Sequence, residues 1–307
     1  MKSGAANKRV VCIGRVYCDL IFSGLPRMPA LGEELFAEGI ALHAGGGAYI
    51  TAAYLAALGR QVSLVATLPA SPFDAIVTAE LSENGIDSRF CKPSEEQHEP
   101  QITVAMVHGD DRAFVTKRVG AAFDDQQVGW LSEPDICHLH IGEVTTLIDN
   151  PWLISEARRR GLSVSLDCGW DDTAFLHKDL GALIGDVDVF LPNEAEATHL
   201  LSKGHQMPLA PLTIVKKGSG GAEAHDRTQR QTNAAQRVEV VDTTGAGDAF
   251  NAGFLNDWLA GQPLTDCLEA GNVCGGLAVQ HVGGASGLRK MRSWMEDRSA
   301  GIAASAS

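Results

Sequence analysis

The chain has 307 residues, 45% of them apolar and 21% charged, with 33 glycines and 12 prolines. That length suits one large α/β domain or two modest ones, and the composition excludes fibrous and disordered classes. Lys and Arg number 25 against 38 Asp and Glu, a net charge of −13; such a surface repels phosphate backbones, so no nucleic-acid partner is expected.

The seven cysteines are odd in number and contain no C-x-x-C pair. That usage fits reduced thiols in a cytoplasmic protein better than a disulfide framework or a zinc ribbon. Residues 1–9 carry no apolar signal segment, and no apolar run nears the ~20 residues of a membrane span, so a soluble protein without a membrane partner is expected.

In chain order, β-branched runs alternate with helical periodicity. A strand is expected at 10–13, a helix at 48–58 stopped by Gly59, a strand at 62–66 and a helix at 73–83 closed by Asn84-Gly85. Further strands are expected at 136–141, 163–167, 187–191 and 212–215, with a helix at 151–160 before Gly161. This rhythm predicts a mostly parallel sheet covered on both faces. Two stretches, 16–43 and 101–119, break it: alternating apolar residues and a His108-Gly109-Asp110-Asp111 turn predict antiparallel strands in a small projecting sheet, placed to act as a lid.

Near the C-terminal end, Val238-Glu239-Val240-Val241 alternates as a strand does and leads into Asp242-Thr243-Thr244-Gly245-Ala246-Gly247-Asp248. Phe250, Phe254, Leu255, Trp258 and Leu259 then recur at helical spacing until Gly261. Small residues at a strand-to-helix turn leave backbone N–H groups unpaired at the positive end of a helix dipole, which is an anion hole for a transferring phosphoryl group. Asp248 beside it can accept the proton of an attacking hydroxyl. An acid at a helix start is equally what the dipole alone favours.

The Asp242 to Asp248 heptad, with Ala249-Phe250 and Gly253 after it, resembles the second signature of the ribokinase/PfkB family of carbohydrate kinases. Other segments over roughly 10–290 resemble the family in order. Gly14 followed by Asp19 looks like its first strand and sugar-binding acid, and Gly45-Gly46-Gly47 like its first signature, departing at Ile50 where the family has Asn. An apolar residue there supplies no hydrogen bonds, which leaves the substrate open. Asn193 and Glu196 match an Asn-x-x-Glu motif that implies a role near Mg²⁺ and the nucleotide phosphates; the same spacing is a plain capping box. Lys216-Lys217-Gly218-Ser219-Gly220-Gly221 looks like the nucleotide loop, and Asn272 like a residue near adenine or ribose. Asp242, Thr244 and the region of Ala278, His281 and Gly283 fall where relatives bind a monovalent cation such as K⁺.

The resemblance implies a three-layer α/β/α ribokinase-like fold with a small β-sheet lid. The core would be 8–15, 44–98 and 120–296, the lid 16–43 and 99–119, and the tails 1–7 and 297–307. It implies an ATP-dependent, Mg²⁺-assisted kinase acting on a hydroxyl of a sugar or sugar-like molecule, working as a homodimer. Asp248 would be the base and Gly245, Ala246 and Gly247 the anion hole. Lys216, Gly218, Ser219, Gly221, Asn193 and Asn272 would meet the nucleotide, while Asp19, Gly45, Gly46 and Gly47 would meet the acceptor. A nucleoside kinase of the same family and a non-catalytic sugar-binding relative are the alternatives.

Three clusters carry less. His138 and His140 share a strand face without a third ligand at metal spacing, Asp167 and Trp170 stand at a strand end near the expected site, and Arg158-Arg159-Arg160 reads as a basic helix end.

Overall fold

The computed structural model describes residues 8–94, 99–109, 111–124 and 128–294. The expected tails, and Asp110 of the expected turn, lie outside the described residues. The first part of the chain runs Arg9–Ile13 (β1), Tyr17–Ser23 (β2), Gly39–Gly45 (β3), Gly47–Ala57 (α1), Val62–Val65 (β4), Thr67–Leu68 (β5), Phe73–Glu83 (α2), Lys92–Pro93 (β6), Ile102–His108 (β7) and Asp111–Lys117 (β8). There follow Ile136–Ile141 (β9), Val144–Asp149 (α3), Trp152–Arg159 (α4), Ser163–Asp167 (β10), Leu180–Gly185 (α5), Val189–Leu191 (β11), Glu194–Ser202 (α6) and Leu212–Lys216 (β12). Ala222–His225 (β13), Arg230–Asn233 (β14), Ala246–Leu259 (α7) and Leu264–Ala278 (α8) complete it.

Eight strands form one sheet in the order β14-β13-β12-β11-β10-β9-β1-β4, parallel from β12 to β4 and antiparallel at β13 and β14. Successive residues of β1 enter opposite layers: Val10 and Cys12 pack with α1, α2, α7 and α8, and Val11 and Ile13 with α3, α4 and α5. That two-sided burial is why the run 10–13 is uniformly apolar, as in a parallel strand covered by helices on both faces. The sheet changes direction of growth at β1, flanked by β4 and β9, so a crevice opens where these strands end. No described helix is long and apolar enough to cross a membrane.

The second sheet has the order β3-β2-β7-β8. Two expectations are corrected here. β2 and β7 pair in parallel, not antiparallel, because they belong to separate excursions from the core that leave it in the same direction. And 238–241 is not a strand. Val238, Val240 and Val241 all stand exposed, and the Val241 and Asp242 N–H groups both turn to the Val279 carbonyl at the end of α8.

One side chain ties the small sheet to the large one. Arg15, buried between β1 and β2, donates to Gln101 Oε1 (3.0 Å) before β7 and to the carbonyls of Val119 (3.1 Å) and Gly120 (2.7 Å) after β8. Its own carbonyl lies where a Cβ on Gly46 would sit, between β3 and α1. All four crossings between the sheets therefore meet at Arg15.

Candidate active site

The strand ends β1, β9, β10, β11 and β12 open into the crevice, and the heads of α1 and α7 close it. Gly245 caps α7 with φ +72, a left-handed conformation that favours glycine, while Gly284 packs so close that a Cβ would come within 2.6 Å of its Cα. In the first turn of α7 the Ala246 N–H turns back to the Thr243 carbonyl (3.3 Å), while those of Gly247 and Asp248 have no helical partner and present donors at this end. Across from them a Cβ on Gly47, the first residue of α1, would approach Asp248 Oδ1 to 2.9 Å. The two glycine signatures thus meet, with the Asp248 carboxylate against Gly47.

Beneath this turn lies a buried cluster of charge. Lys216 Nζ, at the end of β12, donates to Asp167 Oδ1 (2.9 Å) at the end of β10 and to Asn251 Oδ1 (3.1 Å), and Asn251 Nδ2 donates to Asp167 Oδ2 (2.8 Å). A Cβ on Gly247 would come within 3.3 Å of the same Nζ. Lys216 therefore sits under the glycine turn rather than reaching out along the loop after it. Burial opposes ionisation of Asp167, yet Lys216 holds its carboxyl below the usual carboxylate range. Burial, and then the Asp167 carboxyl, drive Asp248 well above that range, with Lys216 pulling the other way. Glu196 is pushed up to about 7 by burial and by Asp167.

Asn193 and Glu196 form a true capping box at α6. Asn193 Oδ1 accepts from the Glu196 N–H (2.9 Å) and Glu196 Oε2 from the Asn193 N–H (2.8 Å). Both readings of that spacing are therefore compatible. The cap turns a buried carboxylate toward Asp167 and Lys216. Three carboxylates, Asp167, Glu196 and Asp248, face one ammonium, and a divalent cation would offset that surplus. Among the described residues no three His, Cys, Asp or Glu side chains are grouped to grip a metal directly.

The nucleotide-loop residues Gly218 and Ser219 are exposed, and Gly221 is buried against β14, where a Cβ would overlap the Asn233 carbonyl. Lys217 pairs with Glu223 (2.5 Å). Asn272 of α8 donates to Asn233 Oδ1 (2.8 Å) and lines, with Asn233, Ala234, Gln236, Glu269 and Val273, an open cavity of ≈ 210 Å³. On the far side, Asp242 is saturated by protein donors. Its Oδ1 accepts from the Thr244 N–H (2.9 Å) and hydroxyl (2.7 Å), and its Oδ2 from the Gly283 N–H (2.8 Å). A monovalent ion here would be held mainly by carbonyls.

At the other end of the crevice Asp19 is buried on β2, where a Cβ on Gly45 would overlap its carboxylate, and burial pushes it up to about 7. Ile50 packs on the Gly284 side, where a Cβ on that glycine would overlap its Cδ1. Arg112 of β8 donates to the hydroxyl of Thr243 and to its carbonyl (3.2 Å), so the small sheet reaches the second signature. His138 and His140 bond Ser163 and Ser165 in a buried row, and burial depresses His140 to about 4. Trp170 stands exposed with its edge on Phe175 and His199. The arginine run at the end of α4 pairs with Glu156 and Asp186.

Asn251, Arg15, Arg112 and Glu143 escaped the sequence analysis. Asn251 alone left a signal, three residues beyond Asp248 on the same helix face. The half-buried Glu143, after β9, accepts from the Arg15 N–H (3.1 Å), and desolvation raises its carboxyl.

Residues 7–291 match the profile of the pfkB family carbohydrate kinase. The chain belongs to that family. It is a carbohydrate kinase. An ATP-dependent ribose-1-phosphate kinase of Halopiger xanaduensis is 27% identical over 285 residues, covering 91% of this chain and 94% of its own length. A fructoselysine 6-kinase of Shigella flexneri is 28% identical over 244 residues, 78% of this chain and 90% of that one. Among solved structures, a fructokinase of Xylella fastidiosa with bound ATP superposes with a TM-score of 0.78 at 20% identity, over 95% of this kinase and 99% of the fructokinase. At that identity the likeness shows the fold.

Proposed function

We propose that this kinase transfers the γ-phosphoryl group of ATP to a hydroxyl of a sugar or sugar-like acceptor. The acceptor oxygen bonds to phosphorus, its proton passes to Asp248, and the bridging oxygen leaves on ADP. The amides of Gly245 and Gly247, joined by that of Ala246 once it leaves the Thr243 carbonyl, meet the charge that gathers on the equatorial oxygens, and the Lys216 ammonium below adds to the same field. Mg²⁺, held through water near Glu196, would neutralise phosphate charge when bound. Asn193, Gly218, Ser219, Gly221 and Asn272 face the nucleotide, with the cavity beside Asn272 for its base; Asp19 and Gly45, Gly46 and Gly47 hold the acceptor. Asp242, Thr244 and Gly283 frame the loop for K⁺. The observation that carries the reading is the Asp248 carboxylate seated between Gly47 and the first turn of α7, above Lys216.

The small sheet covers the acceptor as a lid, spanning 16–43 and 99–119, with the core formed by 8–15, 44–98 and 120–296. Its outer face presents Leu20, Phe22, Ile40, Leu42, Ile102, Val104, Met106 and Val115, half-buried or exposed, and supports a homodimer through that face. All seven cysteines are free, which supports a reducing, cytoplasmic setting.

Asp248→Asn tests the base. With ATP, Mg²⁺ and a sugar panel, ADP release is expected to fall about 10²–10⁴-fold while acceptor binding, read by thermal shift, persists. Retention of most of the rate would remove Asp248 from the role.

A further inference from the structure

Directly across the β2–β3 pair from Asp19 stands His43, on the same face of the sheet. Its ring is fixed from behind. Glu80 of α2 faces Nδ1 at 2.9 Å and also accepts from the Ala44 N–H (3.0 Å) and the Tyr49 hydroxyl (3.1 Å), which Asn84 holds in turn (3.0 Å). With Nδ1 committed to Glu80, the other edge of the ring turns to Gly283, where a Cβ would come within 2.9 Å of Cδ2 and 3.4 Å of Nε2. Gly284, next along, backs Gly245 at the head of α7. The imidazole therefore bridges the space between Asp19 and the phosphoryl-transfer turn, and a third of its side chain is open to solvent.

We propose that His43, held by Glu80, is a second acceptor-recognition residue opposite Asp19, and that the pair selects an uncharged polyol. The inference rests on the placement of the acceptor against Asp19 given above. Asp19 accepts a hydrogen bond from one hydroxyl, and Nε2 of His43 pairs with another. A hydroxyl both donates and accepts, so it satisfies the imidazole in either protonation state. A phosphate or carboxylate satisfies only one, and it would meet a field of the wrong sign. The charged groups that bear most on Asp19 are His43 on β3, Glu80 on α2 and Asp242 before α7, three carboxylates counting Asp19 itself against one imidazole. Thr103, the neighbour of Asp19 on β7, adds only a neutral hydroxyl.

The test uses four probes, ribose, fructose, ribose 1-phosphate and gluconate, with the full-length protein. Binding is read by thermal shift and turnover by ADP release. The expected result is binding of ribose or fructose in preference to both anions. His43→Ala should raise the KM for the neutral acceptor about tenfold with kcat little changed, and His43→Gln, which keeps a side-chain donor and acceptor, should recover most of that loss. Preference for ribose 1-phosphate or gluconate, an unaltered KM in His43→Ala, or no binding of either neutral sugar would each overturn the inference. Binding of a neutral sugar that His43→Ala weakens, without ADP release by the unaltered protein, would instead overturn the phosphoryl-transfer reading and leave this one standing.

Discussion

The two sheets solve opposite problems. The parallel strands of the large sheet are buried on both faces, so any charge inside them must be answered inside them. Lys216, Asp167 and Asn251 form a closed set of hydrogen bonds for that reason. The small sheet has one inward face, where His43, Asp19, Thr103 and Thr116 lie in a cross-strand polar row, and an outward apolar face without such a layer over it. One region keeps charge by rigid pairing and suits chemistry that needs fixed geometry. The other keeps polar groups partly unanswered and suits recognition of a ligand that supplies the missing partners.

Substitutions can break this contrast, and the largest effect should come from the interior of the large sheet. Lys216→Met leaves Asp167 buried without its cation, and a stability loss of about 3–5 kcal/mol is expected in denaturant unfolding. Residual activity should carry a second mark. Asp248 already sits above the usual carboxylate range, so with Asp248 as the proposed base kcat/KM is expected to rise with pH as that carboxyl ionises. Removing the ammonium that lowers it should move the acid limb to higher pH; an unmoved limb would show that Asp248 does not set it.

The junction comes next. Arg15→Met removes three side-chain bonds that tie its own crossing to two others, and is expected to cost about 2 kcal/mol. Hydrogen exchange should quicken at Gln101, Val119 and Gly120 and through β2, β3, β7 and β8, with the strands of the large sheet unchanged. Uniform acceleration in both sheets would mean that Arg15 does not fasten one to the other.

The outer face of the small sheet should respond least in stability and most in assembly. Val104→Asp places a charge at the middle of the apolar face. Unfolding should shift by no more than about 0.5 kcal/mol for the isolated chain, while sedimentation should report monomer for the variant against the dimer proposed for the unaltered protein. A dimer that survives this change would have its interface elsewhere.

Much of the large sheet was legible because its rules are local. The run 10–13 is apolar at every position, the helix beginning at Ala246 repeats its apolar residues at helical spacing, and Gly59, Gly161 and Gly261 stop helices where left-handed backbone is needed. The same local rules misread 238–241, since alternation is a strand signal only where one face is buried, and these valines stand in the open. They also missed the parallel pairing of β2 with β7, which no turn joins.

The two glycine signatures were readable one at a time, as glycines and an acid at the heads of helices. That Gly47 faces Asp248 was not, nor that Lys216 lies beneath Gly247, because these partners are far apart in the chain and meet only when α1, β12 and α7 converge. His43 with Glu80, and Arg15 with Gln101 and Gly120, belong to the same class. The order of amino acids by itself determined which segments are strands and helices and where unpaired amides gather, since those depend on neighbours within a few residues. Only the packed structure decided which charges answer one another, because burial sets the strength of an electrostatic contact, and burial is a property of the whole fold.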